Sequence, residues 1–496
     1  MPSTYLAAID IGTTSVKVGF FDISGDLISL STREYSLLTP DTNRVELSVE
    51  VYWDALAGGV REGLSAGEID PKQVAALSLS SQGETLVCVD PTGDALSNAI
   101  VWLDARAESE SAHLEKSFDM ESIYRTTGYP EMSPLWPAAK ILWIRENEPD
   151  TFRKTAKFLI LKDYIIFRLT GVYATDLSES SSTLYLDTER GDWWDDMLDE
   201  IGIHKDLLPE IRGSSEVVGN LTSDAATALG LTDQTIVTTG AMDQIAAAVG
   251  AGNVEPGTIT ESTGTALAVI ATVGEPTFDD KRRIPCSAHY KPGLFALMPY
   301  AETSGIVLKW FRETFPSHPD RLDEYAELMK LASGVAPGAE GLRALPHFTG
   351  TASPDFNPAA RGAFTGISFH HDRSHFVRAL VESVAFLLRE NVDLLRDLSI
   401  PINSVRSLGG AANSDLWCQI KADVLGTPVE VPVCSEAASL GAAIFAGVGA
   451  GIYPNVEDAA ERIVAIERRF EPRGESISTY NDLYNEYRSI YTRLYG

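Results

Sequence analysis

Residues 235–252 read TIVTTGAMDQIAAAVGAG. The β-branched run at 235–239 favours an extended strand, and the alanine-rich run after residue 244 favours a helix. One acidic residue, Asp243, stands where the period changes. In open α/β sheets such strand-to-helix junctions face a ligand crevice, so Asp243 is read as a carboxylate aimed at a cleft. An Asp there also serves as a helix cap. The helix N-terminus favours the ionised form, as suits a base that accepts a hydroxyl proton.

Two Gly/Thr-rich turns flank this acid in the chain, DIGTTSVK from Asp10 and ESTGTALAV from Glu261. Each reads as a hairpin whose backbone N–H and hydroxyl groups converge on phosphate oxygens. An ordinary hairpin has the same pattern, but one copy in each half of the chain fits a cleft closed from two sides. Two phosphate-type turns and one base point to phosphoryl transfer.

At 496 residues the chain is too long for a single core and divides most simply into two lobes, 1–248 and 249–496. The net charge of −30, from 40 basic and 70 acidic residues, leaves no basic stripe for nucleic acid or an anionic membrane. The longest apolar stretch, LGAAIFAGVGAGIY from Leu440, is too short for a membrane span and reads as a buried helix. MPSTYLAAIDIG lacks the basic start of a secretion signal, and four scattered cysteines without a CxxC pair fit reduced thiols in a cytoplasm.

Residues 5–37 read as an antiparallel three-stranded meander, followed by a helix from Leu47 to Leu64 capped by Ser48. The runs 75–81, 85–90 and 98–102 read as further strands of the same α/β layer. After Asn253 a similar order restarts, with hairpin strands in 257–274, a strand at 294–302 and a helix at 303–315. A helix from His375 to Leu398 and alternating strands and helices to residue 451 complete the second lobe. The Tyr-rich run 478–496 reads as a packing helix.

Gln82, Gly83 and Glu84 follow one strand, and Trp102, Asp104 and Arg106 another; Glu84 and Asp104 can each accept hydrogen bonds from sugar hydroxyls. Exposed loop carboxylates are the plain alternative. Gly409, Gly410 and Ala411 join a strand to a helix that begins near Asn413 and Ser414, letting backbone approach a planar ligand. His371 and His375, four apart without a third ligand, are assigned to the surface, with no zinc.

Together DIGTT, WLDAR, GAMDQ, STGT, LGGAANS and SEAASLGAAIFAGVGAG, spread almost end to end, resemble the FGGY carbohydrate kinases. The resemblance implies two actin-like (ribonuclease H-like) domains around a central cleft, ATP as co-substrate, Mg²⁺, and a sugar or polyol acceptor. On that match Asp243 is the general base and Asp10 the acid near the metal. Thr13, Thr14 and Lys17 lie by the transferred phosphate, with Thr263, Gly264 and Thr265 across from them. Gly305 and Lys309 contact the nucleotide, and Gly410, Ala411, Asn413 and Ser414 form the adenosine pocket. Gln82, Gly83, Glu84, Trp102, Asp104, Asp243 and Gln244 would hold the substrate. Relatives often form homodimers, though no segment here marks an interface.

The substrate is less defined. SQGET (81–85) has Gly83-Glu84 where xylulokinases have Met-His and glycerol kinases Arg-Glu, and Leu135 stands where glycerol kinases carry a Tyr. Losing Arg and Tyr is expected to open space, favouring a ketopentose such as xylulose over glycerol, although Gln244 is glycerol-kinase-like. Glycerol kinase and a non-catalytic actin-like ATP sensor are the alternatives.

Overall fold

The structure, a computed structural model, describes residues 4–318 and 322–496. Residues 1–3, the start of the stretch read as lacking a secretion signal, lie outside the described residues.

The N-terminal meander forms as its alternation predicts: Tyr5–Ile11, Ser15–Asp22 and Leu27–Glu34 pair antiparallel in order. Val74–Ser81 then adds parallel to the first strand, and Ile236–Thr238 and Val217–Asn220 extend the seven-stranded sheet. Val74–Ser81 is buried along nearly its whole length, as a central parallel strand covered on both faces must be. The helix Val49–Ala66, capped by Ser48, covers one face with Tyr52, Leu56 and Val60.

The second half repeats the local plan. Gly257–Thr263 and Leu267–Val273 form a hairpin, and Ile402–Leu408 lies parallel to its first strand. This sheet has eight strands. Helices Arg373–Asp397 and Asp415–Leu425 pack against it, and Gly474–Tyr495 packs on those two helices. His375 closes the capping box of the first of these with Asp372, and Tyr480, Tyr487 and Tyr491 of the last are buried, so the tyrosine stripe is packing.

One expectation is corrected. Leu86–Val89 and Ala99–Ile100 do not join the main layer; they build a separate four-stranded sheet with Glu46–Leu47 and Lys157–Ile160. Its apolar face needs its own cover, supplied by the helix Pro137–Asn147 and residues such as Trp193 and Trp194.

The helices Asp243–Gly250 and Ala437–Gly449 cross where the two halves meet. A Cβ on Gly250 would lie 1.9 Å from the Ala437 carbonyl oxygen, and one on Gly441 1.9 Å from that of Ala246, so only glycine permits this backbone contact. Leu440, Ile444 and Phe445, from the second half of the chain, share a core with Leu6, Ala8, Phe21 and Ala76 of the first sheet. Two actin-like domains thus enclose a cleft, joined by a helix pair beneath it.

Candidate active site

Two cavities open along this cleft. The smaller, about 290 Å³, is walled by Thr13, Gln82, Gly83, Glu84, Trp102, Asp243 and Gln244, with Tyr129, Glu131, Trp136, Met298 and Tyr300 completing it. Both halves of the chain contribute. Six of the seven residues predicted to hold substrate are therefore together; the seventh, Asp104, is not on the wall. Its carboxylate is fully buried, accepts the Val45 N–H at 2.6 Å and pairs with Arg106 at 2.7 Å, which leaves it supporting the loop.

Asp243 begins the helix rather than capping it: Met242 takes the cap position without a side-chain bond. Burial, reinforced by the nearby Asp10 and Glu84 carboxylates, pushes the Asp243 carboxyl up to about 7. The stabilisation expected from the helix N-terminus is outweighed, because loss of hydration is the larger effect. Burial raises Glu84 to about 7 as well, against the opposing pull of Lys140. Glu84, on the cavity wall, also has φ 56°, a left-handed conformation that costs a non-glycine residue of order 1–3 kcal/mol.

Gly83 lies on the cavity wall, close to Ser182 and Met242. A Cβ there would meet Ser182 Oγ at 3.0 Å and Met242 Sδ at 3.4 Å, so a larger residue would have to displace Ser182 slightly. Leu135 is not on the wall; Tyr129, Trp136 and Tyr300 supply its aromatic lining. These and Glu131 escaped the sequence reading, since they lie in irregular or distant segments. Gln82 Oε1 is buried on the wall without a hydrogen-bond partner.

The first hairpin turn lies at the edge of this cavity. Thr13 accepts the Trp102 indole N–H at 3.0 Å, and Thr14 is exposed. Lys17 reaches across to Glu436 at 2.7 Å, linking the first sheet to the loop before the helix Ala437–Gly449. Asp10 accepts from Ser80 Oγ at 2.7 Å, and burial raises its carboxyl despite that bond and Lys17.

The larger cavity, about 890 Å³, carries Thr263, Gly264, Thr265, Gly305, Lys309, Gly410, Ala411, Asn413 and Ser414, all nine residues predicted for that side of the nucleotide. Tyr325, Met329 and Lys330 add an unforeseen wall. No heavy atom would lie within 4 Å of a Cβ on Gly264 or Gly410, so a ligand can approach their backbone. Thr263 is a support: its hydroxyl donates to Glu261 at 2.7 Å and accepts from the buried Lys421 at 3.0 Å. Ser414 caps the helix Asp415–Leu425.

Paired hairpins facing a cleft, a carboxylate in a small cavity and a nucleotide-sized cavity beside it define a two-domain phosphotransferase of the actin-like class. Residues 5–250 match the N-terminal domain, and residues 260–450 the C-terminal domain, of the FGGY family of carbohydrate kinases. The chain belongs to this family and is a carbohydrate kinase. It is 30% identical to a xylulose kinase of Bacillus subtilis over 98% of this chain and 97% of that one. It is 29% identical to a gluconokinase of Bacillus licheniformis over 97% of this chain and 94% of that one. The crystal structure of xylulose kinase from Rhodospirillum rubrum superposes with a TM-score of 0.90 at 28% identity, covering 99% of both chains.

Proposed function

We propose that the protein transfers the γ-phosphoryl group of ATP to a hydroxyl of a ketopentose, xylulose being the first candidate. The observation that carries this reading is the placement of Asp243 in a small cavity walled from both lobes and edged by the first hairpin. The xylulose kinases among the relatives support the choice of sugar.

Asp243 orients the attacking hydroxyl and takes its proton as the bond to phosphorus forms. Glu84 and Gln244 hold neighbouring hydroxyls. The unpartnered Gln82 Oε1 gains a donor when a polyol enters, relieving a buried acceptor. Trp102, Tyr129, Trp136 and Tyr300 cover the C–H faces of the sugar and exclude water that would hydrolyse ATP. The nucleotide occupies the 890 Å³ cavity, with its phosphates against the turn 263–265 and its adenosine against Gly410, Ala411, Asn413 and Ser414.

Asp10 fits a divalent cation: it is a hard oxygen donor whose charge and that of Asp243 oppose each other. Asp10 would hold Mg²⁺ there, and the ion would supply neutralising charge for the phosphoryl oxygens. Lys17 exchanges Glu436 for a phosphate oxygen in this scheme. The unbridged cysteines are consistent with a cytoplasmic setting.

The test is ADP release over a panel of ketoses and polyols, with Asp243→Asn beside the native protein. Loss of about 10²–10⁴ in kcat is expected with folding retained. Turnover by Asp243→Asn equal to that of the native protein removes the assigned base.

A further inference from the structure

Resting on the kinase reading above, we propose that the small cavity accepts only substrates without an anionic group, and that Glu131, linked to Tyr300 across the cleft, rejects carboxylate-bearing sugars at its mouth. The ionisable acids of the cavity wall are Glu84, Glu131 and Asp243. Among the described residues of that wall there is no lysine, arginine or histidine. A substrate carboxylate entering such a site loses hydration, finds no charge-assisted donor and, once the pH is above about 7, meets like charges. Uncharged hydroxyls donate to these carboxylates and to Gln82 Oε1 without that penalty.

Lys140 is kept off the wall for a structural reason. Lys140 is fully buried behind it and donates to the carbonyls of Glu84, Val101 and Trp102 at 3.2, 3.0 and 3.4 Å.

Glu131 sits at the exposed mouth, where Tyr300 of the second lobe donates to it at 3.4 Å, and among the described residues it makes no ion pair. Glu302 lies close enough to add its own negative field. The mouth is thus acidic before the floor is reached, and the bridge to Tyr300 ties this charge to the approach of the two lobes. A likeness to gluconokinases therefore does not extend to gluconate as substrate.

The experiment compares D-xylulose, D-ribulose, xylitol and D-gluconate by ADP release at pH 8, in the full-length protein and in Glu131→Gln. In the native protein kcat/KM for the best uncharged compound exceeds that for gluconate by about 100-fold, and Glu131→Gln lowers this ratio about tenfold. Gluconate within tenfold of the best uncharged compound, or a ratio unchanged in Glu131→Gln, overturns the proposal. Calorimetry with the same four compounds reads the charge rule apart from chemistry, and gluconate binding tighter than the uncharged compounds also overturns it. Absence of ADP release with every compound defeats the kinase reading instead, while the binding order still decides the charge rule.

Discussion

Asp243 sets the pH response. It acts as a base only without its proton, and its carboxyl lies near 7, so kcat/KM falls as pH drops through 7 and levels off above about pH 8. A pH profile flat from 5 to 8 contradicts this. Stability moves the other way. The folded protein keeps a proton on Asp243 that the unfolded chain releases from about pH 4, so this group lowers stability as pH rises from about 4 to 7. Asp243→Asn is expected to unfold at higher denaturant than the native protein, by a margin that widens between pH 5 and 7.5. At this scale the sequence located the acid, since the change from β-branched to alanine-rich residues is local. It misjudged the charge state, because burial beside Asp10 and Glu84 depends on residues 233 and 159 positions away.

Among elements, the crossing of Asp243–Gly250 and Ala437–Gly449 is the most sensitive contact. Alanine at Gly441 gains about 1 kcal/mol in helix propensity but places its Cβ 1.9 Å from the Ala246 carbonyl oxygen. Steric overlap with backbone outweighs this gain, so Gly441→Ala is expected to lose about 1–3 kcal/mol in urea unfolding. The second hairpin rests on a buried ion pair, Lys421 with Glu261 at 2.6 Å, both side chains inaccessible. Lys421→Met leaves that carboxylate unpaired and is expected to cost about 3–5 kcal/mol and to raise the KM for ATP through the released Thr263 turn. An ATP KM equal to the native value removes this support role. The hairpins, the capped helices and the tyrosine-rich helix were legible, since each is written in short-range periodicity. The four-stranded side sheet was not: strand runs at 85–90 and 98–102 carry no mark of which sheet they enter, and Lys157–Ile160, which joins them, is distant in sequence.

For the whole molecule, a boundary near residue 248 separates the two hairpin repeats but cuts the helix Asp243–Gly250. The first sheet is covered by Leu440, Ile444 and Phe445 from the far end of the chain. A fragment of residues 1–250 is therefore expected to expose Leu6, Phe21 and Ala76, bind ANS and aggregate, whereas the full chain does not. A fragment that unfolds cooperatively without ANS binding shows that the first lobe folds alone. The lobes also meet through Lys17–Glu436 and Tyr300–Glu131, so substrate and nucleotide together are expected to raise Tm more than either alone.

The sequence by itself determined the two-lobed α/β plan, the paired hairpins and the acid at residue 243, because each lies at a turn or strand end marked by its neighbours, and its likeness to a kinase family pointed to nine of the residues that line the larger cavity. Only the tertiary structure decided that Asp104 supports a loop, that aromatic rings and Glu131 line the small cavity, and that its wall carries no lysine, arginine or histidine among the described residues. Those outcomes depend on which distant side chains share a volume, and hydration lost or kept there sets their charge.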